Sequence, residues 1–422
     1  MKVAILGSGK EGQAVKEYFE KRGDECKMFT DFTDDDVEGF DLEQYDLVMR
    51  SPSVRPQGDW SSSTKYFLEN CPARIIGVTG TKGKGTTCSL IKAVFEAMGR
   101  KVWLVGNIGV PAISVLDEIE ASDVVVYEMS SFQLWDAYRS PAVAVVLKIE
   151  PDHLNVHKDF AEYVDAKSNI VKWQAEGDVC VYYKDDEDSV KVAERSPAEE
   201  KLAYPVGEMI EAVADSEEEK KQLLDKLKQA LSSLSIVGKH NMENAQAALL
   251  AVCGYLGVDI KELLNEHLEE ICAGFKEFKG LPHRLQLIRE LDGVKYYDDN
   301  FATNVASTKV AIEAFSVPMV LIIGGRDKTD NADLSELNEL LSKNDLVKKV
   351  VLMGESGTEL AKRYGNEKFM LVDSLREAVD KARDNAQSGE VVLMSPAAAS
   401  FDMFENVYDR GAQYIKLINE LK

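Results

Sequence analysis

Continuous apolar runs alternate with helical patterns along most of the chain. KVAILG precedes a helical pattern over Gln13–Arg22, and apolar runs at Cys26–Thr30 and Tyr45–Arg50 follow. RIIGVTG precedes a predicted helix over Thr86–Met98, followed by KVWLVG, DVVVYEMSS and AVAVVLKI. VKYYDD, MVLIIGG, KVVLMG and EVVLMSP lie in the last third. Because strands covered on both faces are continuously apolar, the pattern predicts three α/β units built on mostly parallel sheets.

Breaks in this pattern suggest where the domains meet. With 422 residues the chain is too long for a single core. The Pro- and Ser-rich segment Ser51–Ser63 is interpreted as the exit of the first unit. Lys184–Ser235 is polar and is predicted to form peripheral loops plus one solvated amphipathic helix, before a helical pattern returns over Ile236–Ala251. We predict domains over 1–72, 73–281 and 282–422.

The charge balance limits the partners of the chain. Fifty basic and 73 acidic residues give a net charge of −23, which argues against nucleic-acid binding through bulk charge. The six cysteines are scattered without a CxxC or Cys/His cluster, so reduced thiols are expected. Neither a leader peptide nor an apolar run long enough to span a membrane is evident, so we expect a cytoplasmic protein without membrane insertion.

A glycine-rich turn follows the first predicted strand. Gly7–Gly12 reads GSGKEG and matches GxGxxG, and Asp31 follows about 20 residues on, where a dinucleotide fold places a ribose-binding carboxylate. The pattern favours NAD or FAD. A nucleotide diphosphate at the helix N-terminus and a turn without any ligand remain open.

A second glycine-rich stretch resembles a phosphate loop without matching its standard spacing. Ile76–Thr87 reads IGVTGTKGKGTT; Gly77 lies one residue too early, and Gly85 stands where the magnesium-binding hydroxyl is expected. The loop nevertheless lies between a predicted strand and helix and carries Lys84, as phosphate binding requires. Thr86 or the following threonine offers a displaced hydroxyl to Mg²⁺.

Two candidate metal ligands lie at the ends of predicted strands. Glu128 closes VVVYE, and His153 follows AVAVVLKIEPD. The carboxyl ends of parallel strands share one edge of a sheet, so both side chains and the phosphate loop are expected to converge there. Lys167 is by default a solvated helix lysine, and a metal role requires its conversion, for example to a carbamate.

The motifs together resemble the Mur ligase family over nearly the whole chain. In chain order, the motifs are VTGTKGKGTT, GNIGVP, YEMSSFQL, DHLNVH, YVDAK, GKHNMENA, GLPHR, ATNVAST, IIGGRDK and LMSPAAASFDMF. The resemblance implies an N-terminal Rossmann-like UDP-binding domain, a central P-loop-type ATPase domain and a C-terminal Rossmann-like amino-acid-binding domain. It also implies ATP-dependent ligation of D-glutamate to UDP-N-acetylmuramoyl-L-alanine through an acyl phosphate, in peptidoglycan precursor synthesis.

The resemblance also implies roles for individual residues. Catalysis falls to Lys84, Glu128, His153, Lys167 and Arg284. ATP is bound by Gly80, Thr81, Lys82, Gly83, Lys84, Gly85, Thr86, Asn241, Asn244, Arg284 and Asp299. The UDP-sugar and amino-acid substrates contact Ser8, Gly9, Asp31, Asn107, Ser130, Gln133, Thr303, Lys328 and Ser400. Two Mg²⁺ ions use Thr86 with Glu128, and His153 with a carbamylated Lys167. The expected oligomeric state is a monomer.

Four positions depart from the family pattern. Lys82 stands where the family usually has Asn, and Gly85 where it has Ser or Thr. Phe301 replaces a common Lys, and Val407 lies where an aromatic residue is expected. The last two fall near the implied amino-acid pocket, so a Mur-type ligase with a different amino acid is an alternative. An NAD-dependent oxidoreductase and a non-catalytic nucleotide-binding regulator are the other two hypotheses.

Overall fold

The protein is described here by a computed structural model that covers residues 1–30, 41–326 and 334–422. Asp31 and Lys328, both predicted to bind substrate, lie outside these described residues. The chain divides into two compact units, one of Met1–Leu234 and His240–Phe278 and one of Ser235–Lys239 and Lys279–Lys422. Among the described residues, no helix is both long and apolar enough to cross a bilayer.

The first unit contains two sheets. The smaller has the strand order β2-β1-β3-β4, with all pairs parallel. Its strands are β1 (Lys2–Leu6), β2 (Glu25–Phe29), β3 (Leu47–Arg50) and β4 (Ser61–Ser62), and its helices are α1 (Lys10–Lys21) and α2 (Ser63–Asn70). Gly9 is the N-cap of α1, so the glycine-rich turn opens a helix as predicted.

The larger sheet has six parallel strands in the order β10-β9-β8-β5-β7-β6. Its strands are β5 (Ile75–Thr79), β6 (Val102–Gly106), β7 (Val124–Glu128), β8 (Val143–Val146), β9 (Val179–Tyr183) and β10 (Glu200–Tyr204). The helices are α3 (Lys84–Ala97), α4 (Ser131–Leu134), α5 (Phe160–Lys172), α6 (Glu187–Glu194), α7 (Gly207–Val213), α8 (Glu217–Ser232), α9 (Lys239–Leu256), α10 (Ile260–Glu266) and α11 (Leu268–Glu277), with a 3-10 helix over Ala112–Glu118.

Both faces of this sheet are covered, which explains why its strands are continuously apolar. Val124 and Val126 of β7 join a core with residues of α3 and α9, whereas Val125 and Tyr127 join a second core with residues of α5. Successive side chains of a strand point to opposite faces, so a strand between two helical layers needs apolar residues at every position.

The second unit is built on one mixed sheet of order β11-β12-β16-β13-β14-β15. Only β11 and β12 pair antiparallel; its other described pairs are parallel. The strands are β11 (Gln286–Leu291), β12 (Val294–Asp298), β13 (Met319–Gly324), β14 (Val347–Met353), β15 (Phe369–Leu371) and β16 (Val391–Met394). The helices are α12 (Val305–Glu313), α13 (Ser335–Lys343), α14 (Gly354–Tyr364), α15 (Leu375–Asn385) and α16 (Val407–Glu420).

The predicted α/β class with mostly parallel sheets is confirmed. The prediction for Lys184–Ser235 is confirmed for its amphipathic helix, which is α8, and is wrong for the peripheral loops. This segment holds three helices and β10, which pairs with β9 at the edge of the central sheet. An edge strand has one neighbour, and the first residues of β10 are exposed. Its sequence is therefore partly polar and lacks the continuous apolar run from which buried strands are predicted. The domain limits at 72 and 281 remain a prediction.

Candidate active site

The phosphate loop connects β5 to α3 and depends on two glycines. Gly83 has φ +88°, and a Cβ there would lie 2.3 Å from Asn244 Oδ1. Gly80 has φ +144°, and its Cβ would lie 2.6 Å from Leu147 Cβ. Only glycine fits either position, because other residues rarely adopt this backbone and the space is filled. The loop therefore lies close to α9 on one side and to the end of β8 on the other.

Lys84 is held across the loop that it follows. Its Nζ donates hydrogen bonds to the carbonyl oxygens of Gly80, at 3.1 Å, and Thr81, at 2.9 Å. Thr81 Oγ1 in turn accepts from the Glu150 N–H at 2.8 Å, which ties the loop to the segment after β8. Lys82 is exposed and lies 3.6 Å from Glu150 Oε2. These contacts place the amine of Lys84 at the loop.

Lys167 is buried beside this loop, contrary to the default expectation of a solvated helix lysine. The residue is only 1% exposed, and its Nζ donates to the Gly80 carbonyl at 2.8 Å. The amine also lies 4.5 Å from the ring centre of Tyr163. Burial, and then the nearby Lys84 cation, hold the pKa of Lys167 well below its usual value. A lowered pKa makes the neutral, nucleophilic form of the amine easier to reach.

Glu128 ends β7 next to the loop, because β7 pairs directly with β5 and Val78 lies opposite Glu128. Its side chain is buried, and its Oε1 accepts from Asn107 Nδ2 at 3.3 Å. The charges of Glu128 and Asp152 both act to raise the pKa of Lys167, against the dominant burial effect. Glu128, Lys84 and Lys167 therefore share one electrostatic environment at the carboxyl edge of the sheet.

His153 lies after β8 and is half exposed. Its Nε2 is 3.6 Å from Asp152 Oδ2, and its ring meets the Phe132 ring at a centroid distance of 5.0 Å. Its backbone has φ +55°, a left-handed conformation that is uncommon for residues other than glycine. The same Asp152 charge acts to raise the pKa of Lys167, so Asp152 neighbours both the imidazole and the buried amine.

Asn241 and Asn244 occupy the start of α9, next to the phosphate loop. Asn244 Nδ2 donates to Asn241 Oδ1 at 3.2 Å, and Asn244 Oδ1 lies where a Gly83 side chain would project. The helix thereby places amide groups against the loop, and their nucleotide contacts stay a prediction.

Ser130 and Gln133 form the capping box of α4. Gln133 Oε1 accepts from the Ser130 N–H at 2.8 Å, and the Ser130 side chain accepts from the Gln133 N–H at 3.3 Å. Gln133 is only 2% exposed, and its Nε2 donates to Glu11 Oε1 at 2.5 Å. This connects the α4 segment to the turn that contains Ser8 and Gly9, both of which are exposed. The Gln133 amide and the Glu11 carboxylate therefore engage each other, and Glu11 is partly exposed.

The second unit holds the remaining predicted residues. Asp299 is buried; its Oδ2 accepts from Ser395 Oγ at 2.8 Å and its Oδ1 from the Leu285 N–H at 3.2 Å. Burial raises the pKa of Asp299 to about 7. Arg284 lies with its guanidinium carbon 5.5 Å from the ring centre of Phe301. Phe301 therefore packs against a cation instead of providing one.

Two other predicted residues of this unit differ in exposure. Ser400 is 1% exposed, and its hydroxyl lacks a hydrogen-bond partner among the described residues. Thr303 is partly exposed just before α12. Val407 opens α16, and the neighbouring Tyr408 ring contacts Phe301 at 5.4 Å. An aromatic ring is thus present one position beyond the place where it was expected.

The residues of the loop suit a magnesium–nucleotide complex. In the described part of the chain, no three His, Cys, Asp or Glu side chains converge into a metal site. Mg²⁺ in nucleotide sites takes one or two protein oxygens and fills its shell with phosphates and water, so such a cluster is not required. Thr86 lies in the first turn of α3, and the buried Thr87 Oγ1 has no partner among the described residues. The Lys84 amine and the loop amides supply positive potential for the phosphates.

Sequence reasoning missed several residues that organise this region. Glu11 appeared only as a variable position in a motif, yet it bonds Gln133. Arg50 and Asp136 form a buried ion pair, with Arg50 Nε 2.8 Å from Asp136 Oδ2. His157 is buried against Ser131. Their partners lie far away in the chain, so no local spacing could have revealed these contacts.

Comparison with known proteins agrees with this geometry. Residues 78–252 match the Mur ligase middle domain, and residues 283–398 match the Mur ligase glutamate ligase domain. A UDP-N-acetylmuramoylalanine–D-glutamate ligase of Clostridium kluyveri is 35% identical over 90% of this chain and 84% of its own length. The enzyme of the same name from Clostridium tetani is 31% identical over 100% of this chain and 97% of its own.

Solved structures show the same fold at low sequence identity. The UDP-N-acetylmuramate-alanine ligase MurC of Thermotoga maritima superposes with a TM-score of 0.59 at 16% identity, covering 100% of both chains. The MurF ligase of Thermotoga maritima in complex with ADP gives a TM-score of 0.58 at 16% identity, covering 99% of this chain and 94% of its own. With matches to both domain models and relatives above 30% identity along nearly its whole length, the chain belongs to the Mur ligase family.

Proposed function

We propose that the protein is an ATP-dependent ligase that joins D-glutamate to UDP-N-acetylmuramoyl-L-alanine in peptidoglycan precursor synthesis. The observation that carries this proposal is the pair of lysine amines on the Gly80 carbonyl, Lys84 at 3.1 Å and Lys167 at 2.8 Å. The names of the two clostridial relatives support the substrates. Family membership argues against the oxidoreductase alternative for the GSGKEG turn.

The phosphate loop and α9 would hold ATP. Lys84 would offset phosphate charge, while backbone N–H groups in the first turn of α3 would face the phosphates. Asn241 and Asn244 of α9 would contact the nucleotide, and Arg284 and Asp299 are also proposed to bind it. Mg²⁺, when bound, supplies electrostatic stabilisation of the crowded phosphate and carboxylate oxygens.

The candidate metal ligands fall into two groups. Thr86 and Glu128 would bind one Mg²⁺, and His153 with a modified Lys167 would help to bind the second. A protonated lysine cannot bind a cation, but a buried neutral amine can attack carbon dioxide. A C–N bond then forms, one proton leaves the nitrogen, and the carbamate gains a negative charge. The depressed pKa of Lys167 supports this conversion.

The N-terminal sheet would bind the UDP portion of the first substrate. Exposed Ser8 and Gly9 at the N-terminus of α1 provide a place for the diphosphate, and Asp31 is proposed for the uridine. Asn107 and Ser130 would contact the sugar region. Gln133 would act through Glu11, since its own amide is already bonded.

The second unit would bind the incoming amino acid through Thr303, Lys328 and Ser400. The buried Ser400 hydroxyl, which has no partner among the described residues, supports this, because such groups normally have a partner and a ligand carboxylate would supply one. Phe301 stands where the family commonly has Lys, and the aromatic residue expected at Val407 is Tyr408, one position later. D-glutamate must therefore be tested against other amino acids.

The substrates imply where the protein works and how the chain is divided. We propose a monomeric cytoplasmic enzyme with UDP-binding, ATP-binding and amino-acid-binding domains over 1–72, 73–281 and 282–422. The cytoplasm supplies ATP and keeps thiols reduced, and all six cysteines are free, as a reducing compartment requires.

The test is ADP release by purified protein with UDP-N-acetylmuramoyl-L-alanine, ATP, Mg²⁺ and a panel of D- and L-amino acids. We expect release that depends on all components and is fastest with D-glutamate. Faster release with another amino acid would correct the acceptor. ATP binding without turnover in any combination would instead support the non-catalytic regulator.

A further inference from the structure

A five-residue turn after β8 carries His153 in a left-handed conformation. His153 has φ +55°, and its carbonyl accepts hydrogen bonds from the Val156 N–H at 3.0 Å and the His157 N–H at 2.9 Å. A residue with a Cβ keeps such a conformation only where its surroundings hold it.

His157, at the other end of the turn, is anchored in the interior. It is 2% exposed, and its Nε2 lies 2.9 Å from Ser131 Oγ at the start of α4. Its Nδ1 lies 3.5 Å from Glu162 Oε2, an ion-pair distance rather than a hydrogen bond. Arg55 fixes that carboxylate with two hydrogen bonds, of 2.8 and 3.1 Å.

Phe132 connects the two histidine rings. The His157 ring stacks on Phe132 at 5.1 Å with an interplanar angle of 10°, and the His153 ring meets the same phenyl ring at 5.0 Å and 60°. Trp135 and Tyr163 enclose His157 at 4.8 and 5.2 Å. His157 thus acts on His153 both through the backbone turn and through the Phe132 ring.

We propose that His157 is a positioning residue that holds the turn presenting His153 to the reacting groups. The proposal rests on the ligase function, because His153 is a candidate metal ligand only there. Its structural basis does not depend on that function. The buried His157 imidazole contacts the Ser131 hydroxyl, lies near a carboxylate and shares the Phe132 ring with His153.

Ser131, His157 and Glu162 also resemble a serine–histidine–carboxylate arrangement, but a nucleophilic role for the serine does not fit. Ser131 and His157 are both 2% exposed, so a substrate carbonyl has no access to the serine oxygen. Ser131 is also the first residue of α4 and is enclosed by the fold. The hydroxyl therefore serves as an anchor for the imidazole.

The first experiment measures the His153 ring by NMR in the free protein. The chain has five histidines, so the imidazole signals can be assigned by substitution. In Ser131→Ala and in His157→Leu, the His153 signal is expected to lose its shift from the Phe132 ring current. Ser189→Ala is the matched control. Ser189 is also a buried serine, but its Oγ donates to the Val146 carbonyl, at 3.0 Å, and not to a histidine.

The outcomes separate the proposal from general loosening of the fold. A His153 signal that moves in the two variants and stays fixed in the control supports it. An unchanged signal in both variants overturns it, and so does an equal shift in Ser189→Ala. None of these results depends on turnover, so failure of the ligase proposal would be seen separately as absent ADP release by the wild-type protein.

The second experiment measures the Mg²⁺ concentration that gives half-maximal ADP release. Residues behind metal ligands typically affect affinity by about 10–100-fold, so His157→Leu is expected to raise this concentration by about 10-fold. His157→Gln retains a polar group near the Ser131 hydroxyl and should stay closer to wild type. A KM for the UDP-sugar that rises instead, with Mg²⁺ dependence unchanged, would contradict the proposed role.

Discussion

At the scale of single residues, burial changes what Lys167 can do. A lysine on a helix surface is a protonated cation, but here the amine is enclosed and competes with Lys84 for the same carbonyl oxygen. Burial and the neighbouring cation both favour the neutral form. These surroundings support the proposed carbamate, which would convert the neutral amine into an anionic ligand.

Lys167→Ala is expected to reduce ADP release by at least about 100-fold, because it removes the proposed anionic ligand of the second Mg²⁺, which would stabilise the reacting oxygens. Short carboxylates such as acetate or formate should restore part of the rate. Lys172→Ala is the control on the same helix, since Lys172 only pairs with Asp165 near the surface. A full rate in Lys167→Ala, or equal rescue of both variants, would contradict the carbamate role.

Asp299 should make the stability of the fold depend on pH. Its pKa is raised to about 7, so between about pH 4 and 7 the folded protein keeps a proton that the unfolded chain releases. The free energy of unfolding should therefore fall as pH rises through this window, by up to about 1.4 kcal/mol per pH unit.

Asp299→Asn should remove this contribution, as urea unfolding at several pH values would reveal. The comparison is the difference between the variant and the wild type, because other groups titrate equally in both proteins. A difference that does not change between about pH 4 and 7 would contradict the raised pKa.

At the scale of elements, a buried ion pair ties β3 to the end of α4. Arg50 and Asp136 are both almost fully buried, and Arg50 also donates to the Phe132 carbonyl at 3.0 Å. Ser62 Oγ donates to the same aspartate at 3.4 Å. The pair thereby connects the small sheet to the segment that carries Ser130 and Gln133.

Arg50→Met is expected to lower the free energy of unfolding by about 3–5 kcal/mol, because it leaves the Asp136 carboxylate buried without its cation. The double variant Arg50→Met/Asp136→Leu should recover much of that loss. Arg22→Met is the control, since Arg22 and Asp117 form an exposed pair. Urea unfolding tests this, and equal losses in Arg50→Met and Arg22→Met would contradict it.

Elements were predictable where burial is uniform. The helix that follows the phosphate loop was expected over Thr86–Met98 and is Lys84–Ala97. β7 and β13 are buried at every residue, so their sequences are unbroken apolar runs. β10 and β15 are partly exposed edge strands, and the same pattern did not identify them.

At the scale of the whole molecule, the net charge of −23 opposes an anionic substrate. Long-range repulsion between like charges is screened by salt, with a Debye length of about 10 Å at 0.1 M. Raising KCl from about 20 to 200 mM should therefore lower the KM for the UDP-sugar substrate. Sucrose at matched osmolality is the control, and a KM that rises with salt would mean that local cations outweigh the overall charge.

The linear pattern of residues was sufficient for the fold class, the phosphate loop and the strand-end position of Glu128, because these depend on local periodicity and on the common edge of parallel strands. Burial of Lys167 beside Gly80, the engagement of Gln133 by Glu11 and the anchoring of His157 by Ser131 all required the folded chain. Each joins residues at least 26 positions apart, the separation of Ser131 and His157. Spacing cannot encode such contacts, since packing alone sets which side chains lose water and which partners they meet.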